Sequence, residues 1–554
     1  EMFVLGNSRP ASQKCVVEGT KLTSQATRWA VDEFLDRVVG VRWLWPGKSG
    51  EYVTKMKTVV VAGNLDWKKQ PPLKQRVFIA LPKWYKKDMP KQKMLNEWLS
   101  RQQQGARMKS WSRHAYTSWY RKYYKNNTHR DLFVKPPEGY IHPHAKHQGY
   151  MKLCISNPAV MQTILKEWRE QGSPDGWSIA PNDGVGWCVC ENCRKQDPPE
   201  FANVPDKLIH SGKAKINLAP RYYKFWGELC KKMEKENPDI KLFTYSYGTY
   251  RHPTKELTIG PHLVVSMVPG LTPEYYDLWQ EWSSTGADLI LRPNWFHTLA
   301  LAPNLQLKKV YDFYQMARAK NMIGYSFDTM IGSWGVQGPL YYMLARLSYR
   351  PDMSLEEIKI EYANAFGKAA PQILEYLNYW EKYSDKLSPP YCVGGASEGN
   401  GLYTKLSEKY KFPYHPLAGS YRGMPYLYPD KVINPAMKIL AQAEKLAYGD
   451  TQALEKVHFL MDGLKFMKIT RDCIAASNPK LRPKGMTVEQ NKKLYAEMQK
   501  MADDLTKRNV IYGNLLEWRY KTIGLRLNPD KYLETLEISS FLRLLFENEE
   551  FLIN

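Results

Sequence analysis

One alternation limits the fold more than any other feature of the chain. Short apolar runs, mostly β-branched or aromatic, recur eight times between residues 76 and 328, and amphipathic segments separate most of them. The runs are Arg76–Leu81, a weak one near Arg107–Ser112, Met151–Ser156, Trp177–Asp183, Lys241–Gly248, His262–Val268, Ala287–Asn294 and Met322–Asp328. The clearest segments between them, at 158–172, 219–237, 273–286 and 304–321, place apolar residues at i, i+3, i+4 and i+7, the spacing of one helix face. Strand alternating with helix implies a parallel sheet, and eight such units imply an α/β fold of the (β/α)8 TIM-barrel type over residues 76–385. A doubly wound open sheet is the structural alternative, but no strand is followed by a Gly-rich phosphate loop.

Two smaller regions flank this barrel. Residues 1–75 hold an apolar run at 2–7, an amphipathic helix at 23–40 with Thr23 or Ser24 as N-cap, and a second run at 57–63. They read as a small α/β domain that is incomplete. Residues 386–554 turn mainly helical, with long amphipathic segments at 434–449, 450–477 and 487–518. The Gly- and Ser-rich segment 388–403 is placed to cover the barrel mouth. No apolar run approaches the roughly 18 residues of a spanning helix, so no membrane span is expected. The chain opens on Glu1 without a signal-peptide pattern, as a sequence does that has lost a leader or an upstream segment.

The net charge of +23 points to polyanions: nucleic acid, an anionic membrane surface or acidic polysaccharide. Between Lys74 and Asn126 fourteen Lys or Arg face only Asp88 and Glu97, and Trp84, Tyr85, Trp98, Trp111, Tyr116, Trp119, Tyr120, Tyr123 and Tyr124 interleave with them. Such a stretch is either a solvated basic surface over core aromatics, or a face where rings stack on sugars or bases while cations pair with sulfate, carboxylate or phosphate. No nucleic-acid recognition motif accompanies the charge, so nucleic acid is not expected as a partner.

Chemistry in such barrels lies at the C-terminal ends of the strands. The residues expected there are Arg113 and His114 after the second run, Ser156 and Asn157 after the third, Asn182 and Asp183 after the fourth, and Tyr245 and Tyr247 on the fifth. Arg292, Asn294, Trp295 and His297 follow the seventh, and Asp328 and Trp334 the eighth. Two are carboxylates, Asp183 and Asp328. Paired carboxylates across a cleft are the minimum for glycoside hydrolysis, one donating a proton to the leaving oxygen, the other attacking the anomeric carbon or activating water. The competing reading makes Asp183 an Asx-turn residue in Asn182-Asp183-Gly184 and Asp328 a helix cap or ion-pair member.

Four motifs carry a resemblance: ATRWAVDEFLDRVVGVRWLWPGKSGEYV (Ala26–Val53), SIAPNDGVGWCVCENC (Ser178–Cys193), LRPNWFH (Leu291–His297) and GYSFDTMIGSWGVQGPLYYMLARL (Gly324–Leu347). Together they resemble a bacterial family of unassigned domains carried by organisms that degrade complex polysaccharides and distantly similar to α-glucuronidases. The resemblance covers nearly the whole chain. It implies the same three-part architecture, a retaining or inverting glycosidase-type site, and a periplasmic or extracellular location. Many barrel glycosidases end the fourth strand in Asn-Glu with Glu as the acid; this chain has Asn182-Asp183 there, with a shorter side chain.

Cys188, Cys190 and Cys193 form a C-x-C-x-x-C just after Asp183, whereas Cys15, Cys154, Cys230, Cys392 and Cys473 are scattered. Three thiolates fall one short of a structural zinc site; a distant His or Cys completes it in that reading, with His210 the nearest histidine downstream. A disulfide of Cys188 or Cys190 with Cys193 is the equal alternative, and a thioredoxin-like redox role is disfavoured by the rest of the fold. In either favoured case the cluster stiffens the loop that carries Asp183, and no cofactor is required for catalysis.

The expected function is a glycoside hydrolase acting on an anionic, sulfated or uronate-containing carbohydrate. Asp183 serves as general acid and Asp328 as nucleophile or base. Arg113, His114, Asn157, Asn182, Tyr245, Tyr247, Arg292, Asn294, Trp295, His297 and Trp334 bind substrate. The alternative is a non-catalytic protein that holds the same polyanionic glycans.

Overall fold

The computed structural model describes residues 15–17, 20–22, 26–61, 73–80, 89–139, 151–299, 301–330, 332–389, 401–412, 414, 418–477, 481–508 and 510–511. The expected run at 2–7, the caps Thr23 and Ser24, most of the segment 388–403, Trp84 and Tyr85 with their lysines, and the tail beyond 511 lie outside them.

The described strands are β1 (Cys15–Val17), β2 (Thr20–Leu22), β3 (Arg42–Trp43), β4 (Glu51–Tyr52), β5 (Gln75–Ala80), β6 (Gly176–Ser178), β7 (Lys241–Ser246), β8 (Leu263–Met267), β9 (Asp288–Leu291) and β10 (Met322–Met330). β1 and β2 pair antiparallel, as do β3 and β4. The other six form one wholly parallel sheet in the order β5-β10-β9-β8-β7-β6. The first barrel run therefore pairs with the last, as in a closing barrel. The expected helices appear as Pro158–Glu170, Ala219–Glu234, Pro273–Ser283 and Leu307–Ala319, each between consecutive strands of the sheet or just before one.

Two of the eight expected strands do not form ladders. Met151–Ser156 makes a single antiparallel bridge, Leu153 with Phe133. The run near Arg107–Ser112 lies between the two sheet edges without strand pairing. Gly105 N–H donates to Arg76 O and Arg76 N–H to Ala106 O, each at 2.8 Å, on the β5 side. On the β6 side Ser110 Oγ donates to Gly176 O at 3.0 Å, and Arg113 N–H to Ser178 Oγ at 3.1 Å. One segment touching both edges means that the sheet curls into a half-barrel, bridged by loop and side chain where strands two and three were expected.

Strand alternation separates the two faces. Leu242, Val265, Leu289, Leu291, Tyr325 and Phe327 join the large core under the helices. The other face holds Phe243, Val264 and Ile290, with Met108 and Ile323 against them, in a small apolar plug inside the curl. Two residues further along the strands the same parity places Tyr245, Ser266 and Arg292, and on β10 Ser326 and Asp328. The interior is thus apolar at one end and polar at the C-terminal end.

The flanking regions share that large core. Trp45 stacks on Phe459 with centroids 4.0 Å apart. The helix Trp334–Tyr349, buried along its whole length, crosses the helix Thr451–Ser477 at two glycines: a Cβ on Gly463 would stand 2.7 Å from the Gly335 backbone. A buried ion cluster ties in the N-terminal helix Ala26–Arg37. Asp36, 2 % exposed, meets Arg42 at 2.7 Å, Arg346 at 2.9 Å and Arg350 at 2.6 Å, and Glu361 pairs with Arg42 and Arg346. Burial alone would push the Asp36 carboxyl up, but the three arginines outweigh it and hold it below its ordinary value. Among the described residues the C-terminal part holds the helices Asp430–Ala447, Thr451–Ser477 and Val488–Lys507.

Candidate active site

The polar end of the curl gathers Arg292, Asn294, Asp328, Tyr245, His114 and the turn at Asp183. Arg292 follows β9, its N–H donating to Met267 O at 2.9 Å, and Asp328 N–H reaches Pro293 O at 3.2 Å. Backbone bonds thus set both side chains. The guanidinium donates to Asn294 Oδ1 at 2.7 Å, pairs with Asp328 Oδ2, and lies over the Tyr245 ring 5.3 Å from its centroid. The Tyr245 hydroxyl donates to Ser112 O at 2.8 Å, so the unpaired loop fixes it. His114 packs beside it, ring centroids 5.6 Å apart, and its Nδ1–H donates to Pro181 O at 3.0 Å. That bond leaves Nε2 as the acceptor of the neutral ring.

Asp183 occupies a turn rather than the strand itself, because β6 stops at Ser178. Its Oδ1 accepts from Gly184 N–H at 2.8 Å. A residue outside the sequence-predicted set holds this turn from below. Lys152, buried, sends its ammonium to the carbonyls of Asn182, Asp183 and Gly184, the last two at 2.7 Å, with the Trp187 ring 4.8 Å away. Burial pushes this amine down to about 7, against the pull of Asp183. Three carbonyl acceptors use all three protons of the ammonium, which favours the charged form.

Electrostatics join the two carboxylates. Burial pushes the Tyr245 phenol up, Arg292 opposes it, and both Asp328 and Asp183 add to the rise. Burial works against the Arg292 charge, but Asp328 and, more weakly, Asp183 hold the guanidinium above its usual value. Arg292 and Tyr245 therefore sense both aspartates.

Other expected site residues have structural partners. Asn157 is the N-cap of Pro158–Glu170: Oδ1 accepts from Ala159 N–H at 3.0 Å, and Nδ2 donates to Asp131 O at 2.9 Å. Asn182, buried, accepts from Tyr116 N–H at 3.1 Å and donates to Met151 O at 2.7 Å, locking the turn's base. Trp295 donates Nε1–H to Pro269 O and lies in the core against Phe313, and Trp334 packs edge-on to Trp98 and Tyr341. Tyr247 packs on Ala180, Tyr245 and Val268, within the site region. His297 ends the short turn Trp295–His297 that follows Asn294, and Arg113 is exposed beside His114.

The rings of the basic aromatic stretch are mostly turned inward, whereas most of its described cations, Lys74, Lys93, Lys109, Arg113, Arg121, Lys122 and Lys125, stay exposed. Arg76 is 1 % exposed, bonded to Gln103 O and set over Trp29. Trp119, Lys122 and Tyr123 all converge on Glu167, at 2.7, 2.6 and 2.8 Å. Tyr120 stacks on Tyr124, and Arg130 on Tyr124. Trp111, under Arg107, is the exposed ring of this stretch among the described residues.

The cysteine cluster has a fourth member. Cys154, which looked isolated in sequence, brings its sulfur to Cys188 at 3.6 Å and Cys190 at 3.7 Å, and the ligand atoms of Cys154, Cys188, Cys190 and Cys193 all lie within 4.8 Å of one another. The four are free thiols, so neither expected disulfide is formed. His210 does not complete the set; its Nδ1–H donates to Trp187 O at 2.9 Å.

Residues 45–378 match the family described as Domain of unknown function (DUF4838), and the chain belongs to that family. No curated protein matches the chain. Among solved structures, it is similar to a mutant O-GlcNAc hydrolase from Thermobaculum terrenum, with 11% identity, 68% of this chain and 77% of that chain covered, and a TM-score of 0.28. It is also similar to a GH138 enzyme targeting pectin rhamnogalacturonan II, with 10% identity, 63% and 52% covered, and a TM-score of 0.29.

Proposed function

We propose that this member of the family is a glycoside hydrolase whose half-barrel stands in for a (β/α)8 barrel, with Asp183 as general acid and Asp328 as nucleophile or base. The observation that carries the reading is Asp328 ion-paired with Arg292 over the Tyr245 ring at the polar end of the sheet interior, with Asp183 on the turn beyond β6. Asp328 enters the reaction as a carboxylate balanced by Arg292, which also aims it. Asp183 sits on the edge turn, where a proton can pass to a leaving oxygen. Because Arg292 already serves Asp328 and Asn294, we assign the anionic group of a sulfated or uronate-containing substrate to Arg113, exposed beside His114. The substrate class, the distant kinship with α-glucuronidases and a periplasmic or extracellular site of action belong to this proposal.

The test is a screen of sulfated and uronate-rich oligosaccharides with product analysis. On the substrate found, Asp183→Asn and Asp328→Asn should each lower turnover by roughly 10²–10⁴-fold with unchanged circular dichroism. Near-wild-type turnover by either variant removes that residue from the chemistry. The Asp183–Gly184 turn bond and the Asp328–Arg292 pair also suit a glycan-binding protein without catalysis. Tight calorimetric binding with no product over days supports that second reading.

A further inference from the structure

We propose that Cys154, Cys188, Cys190 and Cys193 bind one structural zinc ion, and that this ion bolts the singly bridged run Met151–Ser156 to the loop leaving Asp183. The inference is independent of the glycosidase reading. Four ligands around zinc at about 2.3 Å in a tetrahedron stand about 3.8 Å apart. The observed sulfur contacts of 3.6 and 3.7 Å, and the 4.8 Å ceiling over all four, match that spacing. The same ceiling is too narrow for an iron–sulfur cluster, whose thiolates surround two or more irons. Four soft thiolates with no carboxylate exclude calcium and magnesium.

The surroundings fit a metal–thiolate group. Ser156 Oγ reaches three of the sulfurs, Cys193 at 3.2 Å, Cys190 at 3.4 Å and Cys154 at 3.5 Å, so one hydroxyl can donate into the sulfur cage. Arg221 donates to Cys188 O at 2.7 Å and is itself paired with Asp197 at 2.8 Å, fixing the backbone of one ligand. Met151–Ser156 needs such an anchor, for its described ladder is the one bridge at Leu153. A zinc ion there joins Cys154 to a loop 34 residues further along the chain and steadies the turn five residues before Cys188.

Elemental analysis of the recombinant chain, purified without chelator, should find about one zinc per chain. Cys154→Ser should lose it, while Cys473→Ser, far from the cluster, should keep it. Should Cys154→Ser fail to fold, the wild-type chain still decides. Titration with a mercurial should release zinc in step with the cluster thiols, and the stripped chain should become sensitive to trypsin at Arg194 or Lys195 and regain resistance on adding zinc alone. A metal-free chain with four reactive thiols, a disulfide within the cluster by peptide mass spectrometry, or a coloured iron site would each overturn the proposal.

Discussion

Replacing Asp36 by Asn isolates the buried ion cluster that fastens the N-terminal helix to the rest of the molecule. The change keeps volume and shape and removes one negative charge. Three arginines stand at 2.6–2.9 Å from this carboxylate, and Arg346 is 1 % exposed. At an effective dielectric of about 20, each such pair attracts by about 4 kcal/mol. Burial of the charges cancels much of that sum, and removing one partner of a buried network typically costs 3–5 kcal/mol. Without Asp36, Glu361 alone faces Arg42 and Arg346, so we expect a loss of about 3–4 kcal/mol. With a urea slope near 3 kcal/mol/M, the fluorescence-detected unfolding midpoint should fall by about 1 M. The pH dependence adds a sign. Because the folded carboxyl titrates below its unfolded value of about 3.9, its stabilisation is complete above that pH and is lost as the pH falls through the folded value. The gap between wild type and Asp36→Asn should therefore be full at pH 7 and narrow in acid below about pH 4. A midpoint shift under about 0.2 M at pH 7, or a gap that widens in acid, refutes the reasoning.

Gly463→Ala should destabilise by about 1–3 kcal/mol, because its Cβ meets the Gly335 backbone at 2.7 Å and backbone cannot rotate aside. Gly338→Ala, whose nearest contacts are 4.0 Å away, should be neutral or gain up to about 1 kcal/mol in the same denaturation assay; equal effects at both sites would discount the helix crossing. Lys152→Met strips three carbonyls of their donor, so it should cost about 2–4 kcal/mol and open the 183–190 loop to limited proteolysis, and unchanged resistance would show that the ammonium does not hold the turn.

Six of the eight strand-like runs were legible because burial on both faces leaves continuous apolar stretches, as in β8 and β9. The two that failed carry the side chains that replace ladder bonds. Ser110 and Ser112 donate to Gly176 O and Thr244 O, and Lys152 and Cys154 spend their side chains on the Asp183 turn and the sulfur cluster. Cys154 escaped notice because its partners lie 34 or more residues away, outside any local zinc spacing. Asn157 had a signal that was available: Asn before Pro158 marks a helix start, which its capping bond confirms. Trp295 and Trp334 sat near strand ends in the sequence, yet which way an indole turns depends on packing, and both turned inward. Of the excess of cations between Lys74 and Asn126, Lys122 finds its partner in Glu167, which is remote in sequence and so was not legible locally.

The unequal support of the two aspartates has a mechanical consequence. Asp328 rides on β10, which is hydrogen-bonded on both sides, to β5 and β9. Asp183 hangs beyond β6, a three-residue strand paired on one side with β7. One carboxylate is thus mounted on a strand paired on both sides, and the other on a turn held by side chains, the Lys152 ammonium and the buried Asn182, in place of a ladder. Amide exchange should be slow along β10, and at the Asp183 turn it should quicken once the holding side chain is gone, as in Lys152→Met. Backbone bonds fix one aspartate and side-chain bonds the other, so single substitutions can loosen the Asp183 mount while leaving the Asp328 strand intact.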